Sequence, residues 1–274
     1  MNCLDKYRSK LVKEINKDLR KILQKPEEDP VHDFRVGMKK LTALYYFLNE
    51  INVDIKAKKI LKPYRLLFKS IGNIRDGHIA VHLVKDLDGV NFEESKILVR
   101  AIRSRIRKDY HLFQKYVQSD APISVRMPTV RSTGISERAI LRGKRIVLNN
   151  LLHKILVTEG RMNAEEWHKK RILLKRYRHQ LDAFCFCPGH RSDEDEIKQI
   201  KIMEQLLGDW HDRVITIQLL QSFQGLEAQT GPAISIMKGQ ERLLLGPAKI
   251  YLSKFAKWRQ GHQAETTITA LASS

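Results

Sequence analysis

The sequence has few features of a membrane or secreted protein. No run of apolar residues approaches the ~20 that a membrane span needs, and the first residues lack the apolar stretch of a secretory signal. Cysteine is scarce as well, because Cys3, Cys185 and Cys187 make an odd count with no disulfide framework. We therefore expect a soluble, cytoplasmic protein without membrane contact, whose cysteines are structural or incidental thiols in a reducing compartment.

Acidic and aromatic residues are also few in this sequence. The chain has 31 aspartates and glutamates against 50 lysines and arginines, which gives a formal net charge of +19. Such an excess repels itself in a compact protein unless an anion neutralises it, so the sequence favours a polyanionic partner. Aromatic residues make up 7% of the chain and fall mostly on apolar helix faces. This argues against a single-strand nucleic-acid binder, which uses exposed aromatic rings as stacking platforms.

Hydrophobic residues recur with the helical period along almost the whole chain, and no strand pattern appears. With 274 residues, the protein can bury a core as one large domain or two half-sized ones. The sequence therefore predicts an all-α fold, with Pro63 kinking or dividing the third helix. The predicted helices cover about 4–23, 31–50, 53–85, 92–117, 135–158, 163–184, 196–223 and 233–258.

One basic helix motif occurs twice. Its members are His32, Arg35, Lys39 and Lys40 in the first copy, and His168, Arg171, Lys175 and Arg176 in the second. Positions i, i+3 and i+7 of a helix lie within about 60° of each other, so the basic side chains share one stripe opposite an apolar face.

A second motif recurs at the same offset as the first. The separation of Gly72 from Gly208 equals that of His32 from His168, and an aspartate follows each glycine at the same distance. Two motifs with one offset predict a duplicated unit. We expect two pseudo-symmetric four-helix units, at 1–117 and 135–260, with a linker at 118–134, a flexible tail at 261–274, and a basic groove or pore between the units.

The residue types in this second motif suggest structural roles for them. We predict that Gly72 and Gly208 allow two helices to approach closely. Asp76 and Asp212 stand beside Arg75 and His211. We predict that these aspartates form ion pairs that orient the bundle or hold a basic side chain in place, and that they do not bind metal.

Single-sign basic stripes occur on at least five predicted helices. A solvated helix face usually mixes both signs, because ion pairs between successive turns stabilise it. Stripes of basic side chains without acids therefore indicate helix faces that line an anion-binding site. Outside the repeated motif, the candidates on the fourth and fifth helices are Arg100, Arg103, Arg107, Arg138 and Arg142.

These motifs resemble the CHAD domain (conserved histidine α-helical domain) over about residues 3 to 258. In each half of that family a His-x-x-Arg-x-x-x-Arg/Lys-Arg/Lys helix precedes a Leu-Gly-x-x-Arg-Asp helix. Here the second motif runs from Ile71 to Asp76 in the first half and from Leu207 to Asp212 in the second. The chain departs from the family pattern where Thr42 stands in the position that Arg178 fills in the second half, and where His211 replaces arginine.

The resemblance implies a module that binds inorganic polyphosphate in a basic cavity between its halves, without catalysis, cofactor or metal. It also implies association with polyphosphate granules or regulation of polyphosphate metabolism. Arginine can grip two phosphate oxygens at once, and lysine supplies a compact charge. The predicted binding residues are His32, Arg35, Lys39, Lys40, Arg75, Arg100, Arg103, Arg107, Arg138, Arg142, His168, Arg171, Lys175, Arg176 and Arg178.

Two other functions fit parts of the sequence. A charge of +19 suits RNA or DNA as well, although no helix-turn-helix pattern stands out. The adjacent pairs His32-Asp33 and His211-Asp212 are also found in metal-dependent His-Asp phosphohydrolases. Such enzymes need acids that converge on a metal, whereas the neighbours here are Arg and Lys, which repel a divalent cation.

Overall fold

The computed structural model describes residues 3–119, 124–157, 162–187 and 194–272. Within these ranges it has nine α-helices, two short 3-10 turns and no strand, which confirms the all-α prediction. The helices are α1 (Cys3–Gln24), α2 (Glu28–Ile51), α3 (Ala57–Leu61), α4 (Arg65–Lys85), α5 (Phe92–Ser119), α6 (Glu137–Leu156), α7 (Ala164–Cys185), α8 (Glu194–Gln221) and α9 (Glu227–Ala272).

Local sequence signals explain several helix ends. Pro63 lies in the 3-10 turn Lys62–Tyr64 that separates α3 from α4, because proline has no N–H to continue the helical bonds. Asn163 caps α7 in a capping box: its side-chain oxygen accepts from the Glu166 backbone N–H at 3.0 Å, and the Glu166 carboxylate accepts from the Asn163 N–H at 2.6 Å.

The last helix begins earlier than the sequence predicts. We expected this helix to begin at about residue 233, but α9 starts at Glu227 and passes through both Pro232 and Pro247. Ala233 and Met237 are buried in a small hydrophobic cluster with residues of α4, α5 and α8. Burial of these side chains offsets the backbone hydrogen bond that proline omits.

The core brings together the four helices that carry the repeated motifs. Helix α2 packs against α7 and α4, and α8 packs against α7 and α4. At the α2–α7 contact the rings of Phe47 and Phe184 meet edge to face, with centroids 4.9 Å apart. Nearby, Gln180 donates to the Ala43 carbonyl oxygen at 3.2 Å. This apolar contact holds the polar residues of α2 and α7 beside each other.

Residues 124–130 form no helix, yet they are bonded firmly to the first helix. Asp5 accepts hydrogen bonds from the backbone N–H groups of Val130 (2.6 Å) and Arg131 (3.1 Å). The Asn16 side chain exchanges two hydrogen bonds with the backbone of Val125, at 2.9 and 2.7 Å. Helix α1 therefore fixes the described part of the segment that connects α5 to α6.

One cysteine prediction was wrong. Cys3, at the start of α1, forms a disulfide with Cys187, just after α7, with their Cα atoms 5.5 Å apart. These residues are 184 positions apart, so no local spacing in the sequence could indicate the pair. Cys185 stays outside this bond and is exposed.

We predict that Cys3→Ser lowers the free energy of unfolding by about 2–4 kcal/mol in buffer without reductant, because the disulfide restricts the unfolded chain. Urea denaturation in buffers with and without reductant measures this difference in the free energy of unfolding. Reduced wild-type protein should match the variant, and Cys185→Ser should match the wild type in both buffers. Equal stability of Cys3→Ser and wild type without reductant would contradict a disulfide in the folded protein.

Candidate functional site

A cluster of basic side chains lies where α2 and α7 face each other. We call it the central cluster; it consists of His32, Arg35, Lys39, Arg75, His168, Arg171, Lys175 and His211. Burial, followed by the charges of Lys175, Arg35 and Arg171, lowers the pKa of Lys39 to about 7. Burial and the Arg171 charge lower the pKa of Lys175 to about 8. The cations of the two helices are therefore close enough to repel each other strongly.

Few acids neutralise this cluster. Burial raises the pKa of Asp76 even though the Arg35 charge opposes the change. The charge of Asp212 partly offsets the lowered pKa values of Lys39 and Arg171. Within the described chain neither aspartate has an ion-pair partner within 4.0 Å, so the predicted contact pairs do not form. The charges of Asp76 and Asp212 therefore influence the pKa values of the cations without a direct ion-pair contact.

The histidines of the central cluster supply hydrogen-bonding groups without a full charge. The rings of His168 and His211 lie 4.8 Å apart, centroid to centroid. Burial, followed by the Arg171 charge, lowers the pKa of His211 to about 3. Burial also lowers the pKa of His32 and His168, and Arg75 and Arg171 respectively add to the effect. At neutral pH these imidazoles are neutral and can each donate one N–H.

Arg35 is positioned by the glycine of the second motif. Its Nη1 donates to the Phe68 carbonyl oxygen at 3.0 Å, and its guanidinium lies 4.5 Å from the Phe68 ring centre. A Cβ atom at Gly72 would lie only 2.3 Å from Arg35 Nη1, so glycine is needed for this approach. Among the described residues outside its own helical turns, no atom lies within 4 Å of a Cβ built at Gly208. Gly72 therefore admits the end of an α2 side chain, and the predicted close approach of a helix is wrong at Gly208.

Two of the other predicted arginines are held by acids. Arg75 Nη1 forms a 2.7 Å ion pair with Glu28, whose other carboxylate oxygen contacts His82. Arg178 Nε pairs with Glu204, and its Nη1 pairs with Asp182 at 3.0 Å. These ion pairs occupy donors that would otherwise be free to bind an external anion.

The remaining members of the repeated motif lie on the flank of the α2–α7 contact. Arg176 stacks on the ring of Tyr46, 4.3 Å from its centre. The Lys40 charge lowers the pKa values of His179 and Asp182, although burial has the larger effect on His179. Arg176 therefore joins the two helices across their interface, and Lys40 faces the end of α7.

A cavity of about 240 Å³ opens beside the central cluster. Its lining includes three cluster cations, several small or apolar side chains, and Arg176 and His179. It is lined by Lys39, Thr42, Ala43, Phe68, Arg171, Ile172, Lys175, Arg176 and His179. An anion in this cavity would contact cations from both α2 and α7.

The structure does not gather all predicted arginines at this site. Arg103 and Arg107 line a separate cavity of about 410 Å³ between α4 and α5, together with Lys85. The other three, Arg100, Arg138 and Arg142, have exposed side chains on α5 and α6. Helical periodicity placed them correctly on polar faces, but it could not tell which polar faces converge.

Some residues near the site were missed or misjudged from the sequence. The cavity residues Thr42 and Phe68 drew no prediction as lining residues, and Glu204 drew none at all. Lys170, next to Arg171 in the basic motif, is buried and caps the C-terminal end of α6. Its Nζ donates to the carbonyl oxygens of residues 154 (3.2 Å), 155 (2.7 Å) and 157.

The sequence model of the CHAD domain matches residues 6–221. The chain belongs to the CHAD domain family. The crystal structure of the CHAD domain from the plant Ricinus communis aligns with 96% of this chain and 91% of its own, with a TM-score of 0.64 and 17% identity. PptA from Streptomyces chartreusis aligns with 93% of this chain and 98% of its own, with a TM-score of 0.59 and 12% identity. No curated protein matches this sequence.

Two further properties concern the described residues. None of their helices has the length and apolar character to span a membrane. Among the same residues, no group of three or more His, Cys, Asp or Glu side chains has the geometry to hold a metal ion.

We predict that Lys39→Met stabilises the ligand-free protein at pH 6 by about 1 kcal/mol or more, since it removes a crowded cation. The folded-state pKa of Lys39 is about 7, below its ordinary 10.5, so the penalty for its charge is complete below pH 7. The penalty disappears as the pH rises toward 10.5. Denaturation should therefore show a smaller difference in the free energy of unfolding between Lys39→Met and wild type at pH 9.5 than at pH 6.

The matched control for this prediction is Lys10→Met, because the Lys10 side chain is 59% exposed on α1. That variant should differ little from wild type at either pH. A Lys39→Met protein that is less stable than wild type at pH 6 would show that Lys39 does not experience net repulsion.

Proposed function

We propose that this CHAD domain binds inorganic polyphosphate at the central cluster and makes or breaks no bond. The observation that carries the proposal is the crowding of buried cations from α2 and α7, which lowers the pKa values of Lys39 and Lys175. Like charges brought together out of water destabilise a fold. A bound polyanion would compensate that cost, and nearby acids do so only in part.

The chemistry of the cluster suits a chain of phosphates. Polyphosphate carries about one negative charge per phosphate and no bases, so it needs many closely spaced donors. Arg35 and Arg171 have planar guanidinium groups that can donate two hydrogen bonds to one phosphate. Lys39 and Lys175 supply compact charges, and the neutral histidines supply directional N–H groups. Phosphate contact would also raise the lysine pKa values, so binding near pH 8 would take up protons.

Two features favour polyphosphate over nucleic acid. The described aromatic ring in the cavity lining, Phe68, has one face covered by the Arg35 guanidinium, which leaves less of the ring for stacking by a base. Membership of the CHAD family, together with the fold shared with the Ricinus communis CHAD domain, also supports this choice. In our proposal two four-helix units enclose the basic groove, and binding recruits the protein to polyphosphate granules or regulates polymer turnover.

A competition titration tests the function directly. At fixed moderate salt and matched phosphate concentration, long-chain polyphosphate should bind at least tenfold more tightly than single-stranded RNA. The double variant His168→Ala/Arg171→Ala should weaken polyphosphate binding by tenfold or more, because each charge-assisted contact contributes about 1.5–3 kcal/mol. Its far-UV circular dichroism should stay helical. Equal or tighter RNA binding would overturn the proposal in favour of a nucleic-acid site.

A glycine pair gives a second test with its own control. Gly72→Ala should weaken polyphosphate binding several-fold, because the new methyl group displaces the Arg35 guanidinium. The fold should remain stable, since a flexible side chain can move and alanine favours helix by about 1 kcal/mol. Gly208→Ala makes the same change where no atom lies within 4 Å, so its affinity should equal wild type. If both variants bind like wild type, Arg35 does not contact the ligand.

A further inference from the structure

The two halves of the site differ at two linked positions. The offset that relates Lys39 to Lys175 also relates Thr42 to Arg178 and Phe68 to Glu204. On the first-half side, Thr42 and Phe68 line the 240 Å³ cavity beside the cluster cations. On the second-half side, the equivalent positions hold an ion pair between Arg178 and Glu204. The first-half positions therefore line a cavity, whereas the second-half positions form an ion pair.

Glu204 acts on the central cluster as well as on Arg178. Its charge raises the pKa values of both Arg171 and Lys175, partly offsetting the effect of burial. The Glu204 side chain is only 11% exposed, and its Oε1 is buried without a hydrogen-bond partner among the described residues. A buried carboxylate with a free oxygen among three cations has the surroundings that a phosphate oxygen would have.

The need to hold Arg178 in place does not explain why residue 204 is an acid. Asp182 already pairs with Arg178 at 3.0 Å, and the first half places a phenylalanine at the equivalent position. Burying an additional carboxylate has a desolvation cost. The effect that distinguishes Glu204 is electrostatic. Its carboxylate neutralises part of the charge on the second-half side of the central cluster, which is otherwise cationic.

We infer that Glu204 is a specificity-determining residue whose carboxylate occupies a phosphate subsite, so that polyphosphate binds on the Thr42–Phe68 side alone. This inference rests on the proposed polyphosphate function. Glu204 keeps Arg178 away from the ligand, and it lowers both the affinity and the number of phosphates that the site neutralises.

The test is Glu204→Gln, titrated with long-chain inorganic polyphosphate at several salt concentrations. Affinity should rise about tenfold, because one repulsive charge is removed and Arg178 becomes available. The plot of log affinity against log salt should steepen by about 0.7, the increment for one more phosphate contact on a single-stranded polyanion. A purely structural ion pair would instead give lower stability with unchanged affinity and slope.

Two controls sharpen this result. Glu14→Gln makes the same change of net charge at an exposed ion pair with Lys10 on α1, and its affinity should stay within twofold of wild type. Arg178→Gln/Glu204→Gln removes the ion pair without leaving a buried charge, so it tests the idea even if Glu204→Gln folds poorly. This double variant should lack the tenfold gain in affinity expected of Glu204→Gln, because Arg178 is no longer available to contact phosphate.

The outcomes separate the two proposals. If wild type shows no preference for polyphosphate over RNA, the proposed function fails. If wild type binds polyphosphate but Glu204→Gln leaves affinity and slope unchanged, the function stands and the inference is overturned. A tenfold loss in the double variant would also overturn it, since Arg178 would then already contact phosphate.

Discussion

The structure depends on the burial of like charges between two helices. Lys39 and Lys175 lie at equivalent positions of α2 and α7, where burial and the charges of neighbouring cations lower their pKa values to about 7 and about 8. Solvent would normally screen such charges, but here the helices and the neighbouring arginines exclude much of it. The cluster therefore carries an electrostatic cost that deprotonation of a lysine reduces and that a bound anion would also reduce. In our proposal, the affinity of the site and its cost to stability have the same origin.

The apolar contacts around the cluster must resist that repulsion. Phe47 and Phe184 pack α2 against α7, and Phe34 and Tyr177 are almost fully buried on the same two helices. Full burial of a large apolar side chain contributes about 1.5–3 kcal/mol. Several such contacts oppose the repulsion between the two basic helices, and the repeated motif supplies both an apolar face and a basic face.

Much of the fold and part of the site followed from sequence periodicity. Helical spacing identified the basic stripe from His32 to Lys39, and the constant offset identified its partner at His168, because both signals are local. The Cys3–Cys187 bond and the position of Arg103 depend on how distant helices pack, so no local pattern contains them. Glu204 was missed for another reason. It lies outside both repeated motifs, and only the structure shows that its carboxylate lies among cations.

The disulfide has a consequence for the topology of the chain. Because Cys3 is bonded to Cys187, residues 3 to 187 form one closed covalent ring that includes α2, α7 and the segment between α5 and α6. A single cleavage anywhere in that ring would leave one molecule with both basic helices still attached. Under oxidising conditions the two sides of the site therefore remain covalently connected through two independent paths.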